Sequence, residues 1–252
     1  LLNHLSEQQI KKVTQEMKFK AQVAIDILIR NLFERTADIG FLATDDDIRN
    51  FIQNYVSKYN ENSVILRDNI QKRFKEYVSK YSVYFDIVVL DNHGKLLVRL
   101  NDDIKTEKTD LAFVNKVLNS DEDYLETYGF HDFIPQYKKS LVYSYKVTKT
   151  NNQNSENLGV LCLCFKFTDE MNGILTNLID TKNKECITIL DEDGFVIASS
   201  DRDHIKLGAK LPIVLNEEFK LISFAGRDYI AKTCETNGYQ GFKGLKWYGH
   251  IM

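Results

Sequence analysis

Hydrophobic positions in the first eighty residues recur at intervals of three and four. Val13, Met17, Ala21, Ala24, Leu28 and Leu32 fall on one stripe, which predicts an amphipathic helix. A helix from Ser6 to Ala37 would be about 48 Å long at 1.5 Å per residue. The pattern breaks at Asp38-Ile39-Gly40. Thr44-Asp45-Asp46-Asp47 then offers an N-cap and an acidic first turn for a second helix, whose stripe is Ile48, Phe51, Ile52, Tyr55 and Tyr59. A third helix follows Asn60-Glu61-Asn62 and carries Leu66, Ile70, Phe74 and Val78.

At Tyr84 the pattern changes. Phe85–Leu90 is rich in strand-forming residues, Asp91-Asn92-His93-Gly94 is a turn, and Lys95–Leu100 returns as a second strand. A short helix is predicted over Asp110–Leu118. Strands are predicted over Tyr124–Tyr128, Ser140–Thr148 and Leu158–Phe167, and then a helix from Asp169 to about Ile179. The opening motif recurs as Glu185–Leu190, the turn Asp191-Glu192-Asp193-Gly194, and Phe195–Ser199. In both turns the aspartate can cap through its side chain while the glycine takes positive φ. Two such hairpins, each opening a run of strands, point to a duplicated sheet unit. The second run continues with Glu218–Phe224, Arg227–Cys234 and Lys246–Ile251 and is the smaller.

The chain has 252 residues, 43% hydrophobic and 27% charged, enough for a substantial core. A net charge of −3 and a pI near 6.0 argue against nucleic acid as a partner. The most apolar helical stretch, Ala21–Ile29, contains Asp26, and no segment approaches the roughly 20 apolar residues that span a bilayer. The chain starts without Met and is read as an excised piece of something longer. Four cysteines include no C-x-x-C pair, so they read as small buried hydrophobes, with Cys162 and Cys164 pointing to one face of a strand. His93 lies in a hairpin turn and is expected to face solvent, His204 and His250 lack partner spacing, and no metal or cofactor is expected. Serine-elbow, zinc-protease and phosphate-loop motifs are all missing, which argues against an enzyme.

A long helix, a helical return and two tandem PAS-like antiparallel sheets resemble the double Cache sensor of bacterial transmembrane receptors, an α+β fold. The residues that carry the resemblance are the two D-x-x-G hairpins and the strand pair Ser140–Val147 and Leu158–Phe165, together with Ile197-Ala198-Ser199-Ser200-Asp201 and Leu207-Gly208-Ala209. Glu34–Asp45 and Gly238–Gly249 are similar to segments of methyl-accepting chemotaxis proteins. The resemblance implies three parts: residues 1–83 as long helix and return, 84–180 as a membrane-distal module, and 181–252 as a membrane-proximal module. It also implies removed flanking membrane helices, an extracytoplasmic location, and a homodimer through the long helix. The function implied is a chemoreceptor sensor binding a small polar molecule in the distal module. A histidine kinase or diguanylate cyclase output, or a periplasmic protein partner in place of a small molecule, are the alternatives.

Amino-acid-binding members of that family carry R-x-W-Y before the third strand and an aspartate on the fifth. This chain has no R-x-W-Y between Ser120 and Tyr145, and the aspartate position falls on Cys164. A neutral thiol cannot replace a carboxylate against an ammonium, so an α-amino acid is not the expected ligand. The expected pocket wall is instead Tyr128, Phe130, His131, Asp132, Tyr137 and Tyr143, with Phe133 nearby and Cys164 as lining. Amphipathic rings with a few polar groups suit a small polar or heteroaromatic molecule. Plain strand placement of Tyr128 and Tyr143 is the competing reading. For His131 and Asp132, in a predicted loop near Pro135, surface exposure is the default.

Overall fold

The computed structural model describes residues 2–57, 61–152, 154–179 and 184–252. Tyr59, expected on the second helix, and the boundary expected between residues 180 and 181 lie outside the described residues. The chain divides into two compact units, Glu34–Phe167 and Leu1–Phe33 with Thr168–Met252. Each is built on a five-stranded antiparallel sheet, the architecture expected of an α+β tandem-sheet chain. Helix α1 (Leu2–Ala43) supplies residues to both units.

The first helix therefore runs past the expected break. Gly40 costs a helix about 1 kcal/mol, yet Ile39, Leu42 and Ala43 are buried and continue the apolar stripe. The helix stops where the Thr44 hydroxyl donates to the Gly40 and Phe41 carbonyls. Asp45, rather than Thr44, caps α2 (Asp46–Ser57), its Oδ1 accepting from the backbone N–H groups of Asp47 and Ile48 at 2.9 and 3.3 Å.

In the Glu34–Phe167 unit, α2 and α3 (Glu61–Lys80) precede β1 (Tyr84–Asp91) and β2 (Leu96–Arg99). Next come α4 (Leu111–Leu118), β3 (Tyr124–Gly129), β4 (Ser140–Thr148) and β5 (Asn157–Phe165), in sheet order β2-β1-β5-β4-β3. Phe167, expected at the end of a strand, instead opens α5 (Phe167–Leu178). One sheet face carries Val88, Leu90, Val142, Val160, Cys162 and Cys164 and packs against Val114 and Val117 of α4 and Phe133 and Ile134 of the following loop. The opposite face buries Ile87, Val89, Leu141, Tyr143, Leu161 and Leu163.

The other unit repeats the plan with β6 (Ile187–Leu190), β7 (Val196–Ser199), β8 (Lys220–Phe224), β9 (Arg227–Glu235) and β10 (Tyr248–Ile251), in order β7-β6-β10-β9-β8. The expected duplication extends to atomic detail. Asp91 Oδ1 accepts from the N–H groups of His93 and Lys95 at 2.8 and 2.9 Å, and Asp191 Oδ1 accepts from those of Asp193 and Phe195 at 3.1 and 2.8 Å. Gly94 and Gly194 take φ of 78° and 84°, and a Cβ on either would collide with a crossing carbonyl, that of Thr109 or Leu211. The N-terminal half of α1 lies against this second sheet so closely that a Cβ on Gly249 would sit 2.1 Å from the Ala21 carbonyl oxygen.

Candidate ligand site on the first sheet

The face of the first sheet that packs on α4 holds an unusual amount of buried charge. β1 carries Asp86 between Phe85 and Ile87, and alternation puts its carboxylate on the same face as Val88 and Leu90, in register beside Cys164 of β5; the register shift between Tyr84 and Asp86 displaces only Tyr84. Arg99 stands on the neighbouring strand β2, opposite Val88. Its Nε donates to Asp86 Oδ2 at 3.1 Å and its Nη2 donates to the same oxygen. The guanidinium also donates to the carbonyls of Ile104 (3.3 Å) and Phe133 (3.0 Å), so it ties two covering loops to the sheet. Burial pushes the Asp86 carboxyl above the ordinary carboxylate range, while Arg99 and the N–H groups of Asn101 and Ile87 pull it back. Both side chains are essentially inaccessible. A groove of about 360 Å³ opens beside Arg99, lined by Tyr55, Arg67, Lys95, Ile104 and Lys105.

His131 lies on the same side. It is buried, at 7% exposure, which corrects the expectation of an exposed loop residue. The reason is local: its ring packs edge-on to Phe113 and tilted against Phe133, with centroids 5.7 and 5.5 Å away. Its Nε2 pairs with the Thr127 hydroxyl at 2.9 Å and its Nδ1 with the Ser140 hydroxyl at 3.2 Å. Burial lowers its pKa, with the Gly129 backbone and Asp132 pulling the other way, so the ring is neutral near pH 7. Asp132 accepts from the Thr109 hydroxyl and from the Asp110 N–H at 2.7 Å, while Asp110 itself caps α4 through Ala112. This aspartate therefore holds the start of α4 over the sheet.

Cys164 and Cys162 are completely buried, and burial pushes the Cys162 thiol up to about 12 and Cys164 well above its ordinary value. They act as neutral lining, Cys162 within 3.5 Å of the Ser144 hydroxyl. Phe130 is exposed, and Tyr137 is partly exposed with its ring 4.3 Å from that of Phe85.

Tyr128 and Tyr143 belong elsewhere. Side chains alternate along a strand, and Tyr128 faces Leu141 while Tyr143 faces Leu163, both on the side away from Cys164. Tyr128 packs edge-on to Phe167 at 5.8 Å, and the Tyr143 hydroxyl donates to Glu126 Oε1 at 2.7 Å. The structure thus collects His131, Asp132 and Cys164 on one face and the two tyrosines on the other. Asp86 and Arg99 were not singled out by the sequence reading. Their signal was present as single charges inside otherwise apolar strand runs, at positions where alternation points them inward.

No protein-family model matches the sequence and no curated protein is similar to it. Solved structures do share the fold. The sensor domain of the histidine kinase DctB from V. cholerae superposes with a TM-score of 0.66 at 11% identity, covering 96% of this chain and 97% of that one. The ligand-binding domain of the Pseudomonas fluorescens chemoreceptor CtaA, in complex with L-serine, gives 0.56 at 12% identity over 97% of each chain. That of the Pseudomonas aeruginosa amino acid chemoreceptor PctC, in complex with GABA, gives 0.55 at 14% identity over 99% of this chain and 97% of that one. The chain therefore has the fold of bacterial sensor domains from end to end, the double Cache arrangement its sequence resembles.

Proposed function

We propose that the chain is the extracytoplasmic ligand-binding sensor of a transmembrane chemoreceptor, and that it is not itself catalytic. The observation that supports this reading most strongly is coverage. Nearly every residue superposes on domains described as sensor or ligand-binding domains, leaving no segment for a separate activity. A histidine kinase or diguanylate cyclase output fits the same domain. No described helix is long and apolar enough to cross a membrane.

The ligand is a small polar molecule bound in the Glu34–Phe167 unit, the membrane-distal module of this reading, between the sheet and α4. His131 and Ser144 supply neutral hydrogen-bonding groups there, Cys164 lines the floor, and Phe130 and Tyr137 stand at the entrance. Among the described residues Arg99 is the one buried cation on this face, but Asp86 already occupies it, so an anionic ligand must compete with an internal carboxylate. An α-amino acid meets the further obstacle of a thiol where its ammonium would need a carboxylate. Helix α1, shared by the two units and carrying exposed Phe19, Ile27 and Phe41, is the element that transmits the change and pairs two copies. Ligand can move that equilibrium only through different affinities for the two states.

A thermal-shift screen against amino acids, organic acids, amines, purines and pyrimidines tests the reading. A ligand at a hundred times its dissociation constant adds about 2.7 kcal/mol. The expected hit is lost in His131→Ala and kept in Tyr143→Phe. Silence across the library would overturn the small-molecule reading in favour of a periplasmic protein partner.

A further inference from the structure

The register of the β3–β4 pair gathers tyrosines around one carboxyl. Tyr124 stands opposite Tyr145, Glu126 opposite Tyr143, and Tyr128 follows along β3. Alternation puts all five on the face directed away from His131 and Cys164. Tyr143 is fully buried, whereas Tyr124, Glu126, Tyr128 and Tyr145 are half-buried on or beside the sheet edge. The Tyr124 and Tyr143 ring centroids are 6.4 Å apart.

Glu126 lacks a cation. Among the described residues its one hydrogen bond comes from the Tyr143 hydroxyl, and no lysine, arginine or histidine pairs with it. Burial accordingly pushes its carboxyl up to about 7, with the Tyr143 hydroxyl pulling the other way. The surrounding charge is mostly negative: Glu122 and Asp123 act on Tyr124, and Asp123 acts on Tyr145. Arg49 of α2 faces Tyr145 but is engaged by Asp46 and Asn151. Tyr84 faces Tyr143 from β1. One cation already uses this aromatic surface, since Lys139 Nζ lies 5.8 Å from the Tyr128 ring centroid.

A half-buried carboxyl short of a counter-charge, flanked by ring faces of negative quadrupole within an acidic surround, favours one kind of visitor. Cations over tyrosine rings gain energy that grows with desolvation, and an opposite charge within a few ångströms favours the ionised carboxyl. We infer that this face binds a small organic cation, an alkylammonium whose charge pairs with Glu126 and whose alkyl groups pack on Tyr124 and Tyr145. The site lies on the opposite side of the sheet from His131 and Cys164, so it stands or falls independently of the function proposed above.

The test is an NMR titration of the whole chain with tetramethylammonium and with n-butylammonium, using tert-butanol as the neutral isostere and NaCl to match ionic strength. Both cations should shift amides of β3 and β4, and tert-butanol should not. Neither probe titrates in the working range, so pH dependence reports on the protein. Protonation of Glu126 should weaken binding roughly 100-fold between pH 8 and pH 5. Glu126→Gln, folded by its thermal melt, should abolish binding, and Tyr124→Ala should weaken it about 3- to 30-fold. If Glu126→Gln binds as tightly as the wild type, if affinity is equal at pH 5 and pH 8, or if about 10 mM of either cation leaves the strands unshifted, the inference is wrong.

Discussion

Arg99 on the edge strand β2 and Asp86 on its neighbour β1 hold each other in the buried interior, with the guanidinium also donating to the carbonyls of Ile104 and Phe133. Such a pair is costly to desolvate and costlier to break, because removing one partner strands the other charge in the core. Arg99→Ala should therefore destabilise the chain by about 3–5 kcal/mol, and Asp86→Ala by a similar amount. The double replacement Asp86→Leu/Arg99→Met should recover most of that loss. Urea unfolding monitored by circular dichroism measures all three. A single substitution costing under about 1 kcal/mol would show that the pair is not the buried, fully bonded unit described.

Asp26 interrupts the most apolar stretch of α1, and its position explains why. Its Oδ1 accepts from the Thr236 hydroxyl and the Asn237 N–H, and its Oδ2 from the Asn237 and Gln22 side-chain amides, at 2.9 to 3.0 Å. The carboxylate thus fastens the helix to the segment between β9 and β10. Hydrogen bonds to a charged group contribute about 1.5–3 kcal/mol each at most. Because these share one partner, Asp26→Ala should cost about 2–4 kcal/mol in total. Hydrogen exchange should speed up at the Asn237 amide, and an unchanged rate there would remove Asp26 from this role.

Much of the fold was legible because periodicity and turn chemistry are local. The paired Asp-x-x-Gly turns revealed the duplication, since both the aspartate cap and the positive-φ glycine are written in four residues. The helix stop at Gly40 was misread for the opposite reason. Burial of Ile39 and Leu42 depends on partners far away in sequence, and that packing outweighs one glycine. The site was less legible still. Tyr128 and His131 are three residues apart, yet strand alternation and the loop after Gly129 send them to opposite faces of the sheet. Cys164 could be placed from its strand, but the carboxylate beside it comes from Asp86, 78 positions earlier, and only strand pairing brings the two together.

The second sheet carries a buried titration of its own. Ser199, Thr188, His250 and Thr233 stand in one row across β7, β6, β10 and β9, all buried. His250 Nδ1 pairs with the Thr233 hydroxyl at 2.9 Å, while its Nε2 has no partner among the described residues. Burial drops the pKa of its imidazole from 6.5 to about 4. Between those two values the unfolded chain takes up a proton that the folded chain refuses. The contribution of His250 should therefore be full above pH 6.5, fall as the pH drops towards 4, and level off below. Glu126, raised by burial to about 7, works in the opposite direction as its folded carboxyl takes up a proton. At pH 5 the loss from His250 is about 2 kcal/mol, and His131, also lowered by burial, adds in the same direction. Urea unfolding of the wild type and of His250→Asn at pH 7.5 and pH 5 isolates this residue: the wild type should lose about 2 kcal/mol more than the variant on going to pH 5, whatever the variant's absolute stability. Ring ¹⁵N shifts of the folded wild type supply an independent reading. An imidazolium signal from His250 at pH 5.5 would contradict the buried neutral ring, and with it the predicted loss of stability.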